Sequence, residues 1–240
     1  MDDFRRPVES RQGPRDPLIS VIMPHQAGRD LTGALACFES QSYRNTELIL
    51  VSQQRCSVPS TGRVVQVSYS GAKTTGELRN LACEWAAGEF IVHMDDDDWS
   101  SPHRLAIQCA ALALHPIVGF RTMWFYDSRD GRAWHYTGAP NYVCGASLAY
   151  RRDYWVKHPF PKKQVGEDND FIRPAQALRS LGCYAVAHMM VQQRHGGNTC
   201  RWDTPPACQE WRRAALLELP AEFLRTIPQY DSTIASSQPA

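Results

Sequence analysis

Four consecutive aspartates, Asp95 to Asp98, follow the apolar run Phe90-Ile91-Val92 and precede Trp99. Adjacent carboxylates repel one another, and burying one without a partner is costly. Two readings of this stretch stay open: a solvated acidic loop, or a site where a divalent cation removes the repulsion. A second cluster holds Glu167, Asp168 and Asp170. A carboxylate can take the proton of an attacking hydroxyl, but acids at the start of a helix are favourable with no chemistry at all. His195 stands between Arg194 and the pair Gly196-Gly197. Neutral imidazole can ligate a metal and arginine can contact phosphate. A histidine beside a Gly-Gly turn is also an ordinary loop.

The elements around these residues are those of an α/β protein. Leu18-Ile19-Ser20-Val21-Ile22-Met23 reads as a buried strand ended by Pro24, and residues 47–51 and 63–68 as two more. Leu31, Leu35 and Phe38 fall at helical spacing and predict a helix over 30–40. A second helix is predicted over 74–87, with Leu78, Leu81, Ala82 and Trp85 on its inner face and Gly88 as its stop. Residues 89–94 make the strand that delivers the aspartates. A helix over 101–115 follows, with Pro102 in its first turn. Strand and helix alternate, which predicts a central, mostly parallel sheet with helices on both faces. Ligands bind such sheets beyond the carboxyl ends of the strands, where the aspartates fall.

After Pro116 the texture changes. Residues 117–126 and 132–137 read as strands around an Asp130-Gly131 hairpin turn. The aromatics Trp124, Phe125, Tyr126, Trp134, Tyr136 and Tyr142 concentrate here; one or two are expected to line a groove and the others to be core. Further expectations are a helix over 168–181 interrupted by Pro174, a short strand over 183–188 and a last helix over 205–219. Residues 1–17 read as a flexible leader, 18–220 as one domain and 221–240 as a tail. Within the domain, the change of texture after Pro116 separates residues 18–115 from residues 116–220.

Bulk properties exclude little. The 240 residues are 43% hydrophobic and 21% charged, as in ordinary globular proteins. A net charge of +1 gives no global attraction to nucleic acid or an anionic membrane. No apolar run is long enough to span a bilayer. None of the eight cysteines forms a CxxC pair. Reduced thiols and a cytoplasmic location are expected. A zinc set of Cys200, Cys208 and His195 has a weak spacing.

The order of the motifs carries more. Ile19 to Pro24 resembles the opening strand of the family 2 glycosyltransferases, the inverting enzymes of GT-A fold, and residues 47–51 resemble their second strand. Glu77-Leu78-Arg79-Asn80-Leu81-Ala82, followed by Ala87-Gly88-Glu89-Phe90-Ile91, is similar to their ARN…A.GEYI segment. Met94-Asp95-Asp96-Asp97-Asp98-Trp99 resembles their LDxDD motif. Gly166-Glu167-Asp168-Asn169-Asp170-Phe171 resembles their ED motif, and Arg194 to Thr199 a late histidine segment. The resemblance spans residues 18–199, and it implies a nucleotide-binding half over 18–115 and an acceptor-side half over 116–220.

It implies a metal-dependent transfer of sugar from a nucleotide-sugar, by default a UDP-sugar, to an acceptor hydroxyl. Asp97 and His195 would ligate Mn²⁺ or Mg²⁺. Asp95 and Asp96 would hold the ribose and support the metal. Asp98 reads as a cap of the following helix. Pro24, Gln53, Arg79 and Arg194 would meet the donor, with Lys73 a weaker candidate. Asp168 would be the general base and Glu167 would orient it or bind acceptor. The acceptor would be a glycan, lipid-linked sugar or peptide, with a nucleic acid acceptor not excluded.

The chain departs from the family pattern at two places. Val51-Ser52-Gln53-Gln54-Arg55 replaces the acidic VDDGS after the second strand, and His25-Gln26-Ala27-Gly28-Arg29 replaces a Thr-Tyr-Asn-like turn after the first. Both changes touch the base pocket. Two other readings remain: a nucleotidyltransferase, which would want a glycine-rich basic loop after the first strand, and a non-catalytic nucleotide- or sugar-binding relative.

Overall fold

The computed structural model describes residues 16–58, 63–198 and 210–227. The first half alternates as the sequence predicts: β1 (Ile19–Pro24), α1 (Thr32–Glu39), β2 (Thr46–Ser52), β3 (Val64–Ser68), α2 (Thr75–Trp85), β4 (Phe90–His93). There follow β5 (Trp99–Ser100), α3 (Arg104–Leu112), β6 (Ile117–Phe120), β7 (Thr122–Asp127) and β8 (Arg132–Thr137). Then come β9 (Ala149–Arg151), α4 (Arg152–Lys157), α5 (Glu167–Ala177), β10 (Leu181–Tyr184), β11 (Met190–Arg194), β12 (Trp211–Ala214) and α6 (Ala221–Leu224).

A seven-stranded sheet in the order β10-β6-β9-β4-β1-β2-β3 forms the centre. Strands β1 to β4 pair in parallel, and only β9 runs against its neighbours β4 and β6. Both faces are covered, which is why β1, β2 and β4 are apolar at nearly every position. Ile19, Val21, Met23, Leu48 and Leu50 pack toward Phe38 of α1 and Leu105 and Leu112 of α3. Ile22, Ile49, Val51 and Ile91 pack toward Ala82 and Cys83 of α2 and Phe171 and Ile172 of α5.

A second, five-stranded sheet in the order β12-β8-β7-β11-β5 was not expected from the sequence. Its β11 runs parallel to β7 and antiparallel to β5, which immediately follows the four aspartates. This pairing brings the segment after Arg194 back to the acid loop.

Several expectations need correction. The short strand expected over 183–188 is Leu181–Tyr184, and residues 221–224, read as part of a tail, form α6 with Phe223 and Leu224 in the core. The apolar run 117–126 is two strands in two different sheets, broken at Arg121, whose N–H bonds to Tyr184 O. The inner face of α2 is formed by Gly76, Arg79, Ala82 and Cys83, while Trp85 is 57% exposed. Pro174 does not interrupt α5, which runs through it to Ala177. The helix expected over 205–219 is absent from its described part: Trp211–Ala214 is an edge strand paired with β8, and its packing on Phe125 and Tyr136 outweighs the helix-forming composition. Residues 205–209 lie outside the described residues. The Asp130-Gly131 hairpin turn is present between β7 and β8.

Candidate active site

A cleft of about 680 Å³ opens at the carboxyl ends of β1, β2 and β4. Of the residues singled out in the sequence, Pro24, Gln53, Arg79, Asp95 to Asp98, Glu167, Asp168 and Arg194 all line it. Phe125, Tyr136 and Tyr142 line it too, three aromatics where one or two were expected. Trp124 and Tyr126 belong to the core, and Trp134 is buried beside Phe125. Lys73 is exposed and is not among the lining residues.

Each aspartate of the acid loop has a different environment. Asp95 is half-buried, and no hydrogen bond to it is found among the described residues; burial raises its pKa, Arg79 opposes the rise, and Asp97 and Asp96 add to it. Asp96 is buried and faces the β1–α1 loop. Its Oδ2 lies 2.7 Å from His25 Nδ1 and accepts from Gln26 N at 3.0 Å, and its Oδ1 accepts from Arg29 Nη1 at 2.8 Å. Asp97 Oδ2 accepts from Arg29 Nη1 at 2.8 Å and from Asn198 Nδ2 at 3.3 Å, and lies 2.8 Å from His195 Nε2. Asp98 does not cap the following helix, whose N-cap is His103 with no side-chain bond. Its Oδ1 instead accepts from Gln193 N of β11 at 2.9 Å, while its buried Oδ2 has no partner. Burial first, then Asp97 and Asp95, push its pKa well above the usual carboxylate range.

Beneath the loop lies Arg104, a fully buried guanidinium. It donates to His93 O at 2.7 Å, to Ala146 O at 2.9 Å and to Ser100 Oγ at 2.8 Å. It therefore ties the residues before and after the acid loop to the cleft floor. Burial lowers its pKa to about 10, against the pull of Asp98 and Asp95, so it stays charged at neutral pH. Arginine thus offsets the carboxylate repulsion from below as Arg29 does from the front.

The ED pair divides its work. Glu167 is buried and accepts from Arg79 Nη1 at 2.5 Å, so it faces α2 rather than Asp168. Burial raises its pKa, Arg79 opposes this and Asp168 adds to it. Asp168 Oδ1 accepts from Asn169 N at 2.8 Å. Its Oδ2 rests over Gly145, where a Cβ would collide with it. Asp170 is paired with Lys163 and Arg173 on the outside of α5 and serves the helix, not the cleft.

Arg194 is buried, lies 3.4 Å from Asp127 Oδ2 and stands 5.9 Å over the Trp134 ring. Gln53 is exposed and donates to Gly71 O at 3.3 Å. Of the zinc set, Cys200 and Cys208 lie outside the described residues, as does Thr199, and His195 is engaged with Asp97. Among the described residues the cysteines are free thiols, with Cys37, Cys83 and Cys144 buried.

No cluster of three or more metal-ligating side chains exists among the described residues. Asp97 Oδ2 and His195 Nε2, at 2.8 Å, nevertheless have the separation of neighbouring ligands on a small hard cation bonded at ~2.1 Å. Such a cation is held by one or two protein groups plus phosphate oxygens. These two groups are compatible with such a cation only where further ligands come from outside the described residues.

Sequence reading missed His25, Arg29, Arg104 and Gly145 as site residues. A signal existed for the first two, since basic side chains directly after the first strand point to the same sheet edge as the aspartates.

No family model matches the chain. It is 26% identical over 110 residues to WfgD, the UDP-Glc:alpha-D-GlcNAc-diphosphoundecaprenol beta-1,3-glucosyltransferase of Escherichia coli, covering 42% of this chain and 44% of that protein. The chain spans less than half the length of the curated relatives it matches. Among solved structures it is similar to S. aureus TarS 1-349 in complex with UDP, with a TM-score of 0.58 and 18% identity over 73% of this chain and 60% of that one. It is also similar to a mannosyltransferase of Pyrobaculum calidifontis in complex with GDP-Man and Mn²⁺, with a TM-score of 0.54 and 16% identity over 74% and 56%. No described helix is long and apolar enough to cross a membrane.

Proposed function

We propose that the chain is a glycosyltransferase like those of family 2, and that it transfers a sugar from a nucleotide-sugar to an acceptor hydroxyl with inversion; its curated relatives are glycosyltransferases and its fold is that of GT-A enzymes. The supporting observation is the meeting, in one cleft, of acids from the end of β4 and the start of α5.

The donor lies across the carboxyl ends of β1, β2 and β4, with Pro24, Gln53 and Asp95 beside its nucleoside. UDP is the default nucleotide, consistent with the UDP complex of TarS. A divalent cation, when bound, neutralises the charge that develops on the diphosphate leaving group. Asp97 and His195 would hold it. Arg104 and Arg79 keep the neighbouring carboxylates tolerable in a partly dry site. Asp168 accepts the proton of the acceptor hydroxyl as that oxygen attacks the anomeric carbon. The sugar–phosphate bond breaks on the opposite face, and its electron pair leaves with the diphosphate. Phe125, Tyr136 and Tyr142 offer flat surfaces to sugar rings.

The test is turnover of UDP-Glc, UDP-GlcNAc and GDP-Man by the wild type and by Asp168→Asn. One donor is expected to turn over, and the variant to lose roughly 10²- to 10⁴-fold in rate, the range of general-base contributions. Equal rates in both proteins would remove Asp168 from the reaction.

A further inference from the structure

Arg29 occupies a position for which neither the fold nor the reaction alone gives a reason. Its Nη1 stands 2.8 Å from Asp96 Oδ1 and 2.8 Å from Asp97 Oδ2. Its Nη2 donates to Gly197 O at 2.5 Å. One guanidinium therefore closes three segments on each other: the β1–α1 loop, the acid loop and the loop after β11. A permanent structural arginine is expected to be buried, as Arg104 is. The Arg29 side chain is 21% exposed, at the mouth of the cleft. It follows Gly28, whose φ of +89° only glycine adopts without strain.

Of the two Asp97 oxygens, Oδ2 is the one whose acceptor capacity is filled. Oδ2 receives Arg29 Nη1 and Asn198 Nδ2 and adjoins His195 Nε2. The His195 contact is also made by a proton. Gly197 N donates to His195 Nδ1 at 3.0 Å, so the ring proton sits on Nε2 and points at Asp97. A cation can reach this oxygen only by displacing the guanidinium and taking the place of the Nε2 proton.

We infer that Arg29 is a built-in placeholder cation, which holds Asp96 and Asp97 in the free protein, keeps a divalent ion off Asp96 Oδ1 and Asp97 Oδ2, and yields to it when a nucleotide diphosphate supplies new acceptors for its guanidinium. The contacts of Arg29 stand on geometry; the divalent ion and the diphosphate rest on the glycosyltransferase reading. Arginine suits the role because its fork matches carboxylate and phosphate equally well. Its release also frees Gly197 O, so opening of the loop over residues 195–198 and entry of the metal become one event. Metal and nucleotide then bind cooperatively, each removing the obstacle to the other.

The test titrates Mn²⁺ alone into the wild type, Arg29→Ala, Arg29→Lys and Arg29→Gln, by calorimetry and by the electron spin resonance of free Mn²⁺. The alanine and glutamine variants are expected to bind Mn²⁺ about tenfold or more tightly than the wild type, the equivalent of one charge-assisted hydrogen bond no longer in competition. The lysine variant should fall between. Unchanged or weaker Mn²⁺ binding by both neutral variants overturns the inference, as does the absence of Mn²⁺ binding in all four proteins. A parallel titration of UDP and GDP with Mn²⁺ present separates the two ideas. Tighter Mn²⁺ binding by the variants, with no nucleotide bound by any protein, keeps the placeholder and rejects the donor site. Nucleotide binding with unchanged metal affinity does the reverse.

Discussion

Glu167, the first residue of α5, is held by the guanidinium of Arg79 in α2, and this buried pair sets where the next residue, Asp168, stands. The two partners are 88 residues apart in the chain. Both side chains are almost fully covered, 7% and 6% exposed. Removing one charge leaves the other stranded, which costs far more than the net worth of the pair. Arg79→Ala is expected to lower stability by about 3–5 kcal/mol, and Glu167→Gln by less, because glutamine still accepts from the guanidinium and Asp95 remains as a counter-charge to Arg79. Urea unfolding midpoints of the two variants check the order. Equal losses would mean that the charge of the pair, and not its hydrogen bond or packing, carries the whole effect.

Gly145 lies directly under the carboxylate of Asp168, and a Cβ there would strike Oδ2. Gly145→Ala is expected to displace Asp168 without touching the acid loop. The measured signature is a fall in kcat of about 10²-fold with the donor KM nearly unchanged, since a 1 Å error in a reacting group costs about that much. A rise in donor KM with kcat intact would place Gly145 in donor binding.

These two residues also show why the site was only partly legible in the sequence. Asp95 to Asp98, Glu167 and Asp168 stood out because runs of acids are conspicuous in any sequence. The strands β1, β2 and β4 stood out because a sheet covered on both faces requires continuous apolar runs. The partners of the acids did not stand out, because their meaning is non-local. The face of α2 was read from Leu78, Leu81, Ala82 and Trp85; Ala82 is buried and Leu78 and Leu81 pack against the core, but the helix leaves Trp85 outside and turns Arg79 inward to reach Glu167. The strand β11 was missed because Met190–Arg194 carries two glutamines and gains its order from β7 and β5. The short strand β9 was missed for a similar reason: three residues are too few for any period to show.

His93 gives the fold a pH dependence with a defined sign. It is fully covered, its Nδ1 lies 2.9 Å from Gly145 O and its Nε2 lies 3.2 Å from the Tyr150 hydroxyl. Burial above all, with Arg79 and Arg104 adding, holds its pKa well below the usual 6.5. The unfolded chain therefore takes up a proton near 6.5 that the folded chain refuses, and stability falls as the pH drops through that value. Above it the histidine is neutral in both states and contributes no slope. Between about pH 7.5 and 5.5 the unfolding free energy of the wild type should fall more steeply than that of His93→Gln, with a difference of up to ~1.4 kcal/mol per pH unit. Parallel slopes for the two proteins would show that another group carries the dependence.

On the proposed function, the acid loop at the end of β4 receives a nucleotide diphosphate together with a divalent cation. Calorimetric titration of UDP, GDP, CDP and dTDP into the full chain, with and without Mn²⁺, beside Asp97→Ala, tests this directly. One nucleotide is expected to bind, only with Mn²⁺, and Asp97→Ala to abolish this binding while the protein stays folded. Failure of every nucleotide to bind with Mn²⁺ present, or equal binding by Asp97→Ala, would contradict it.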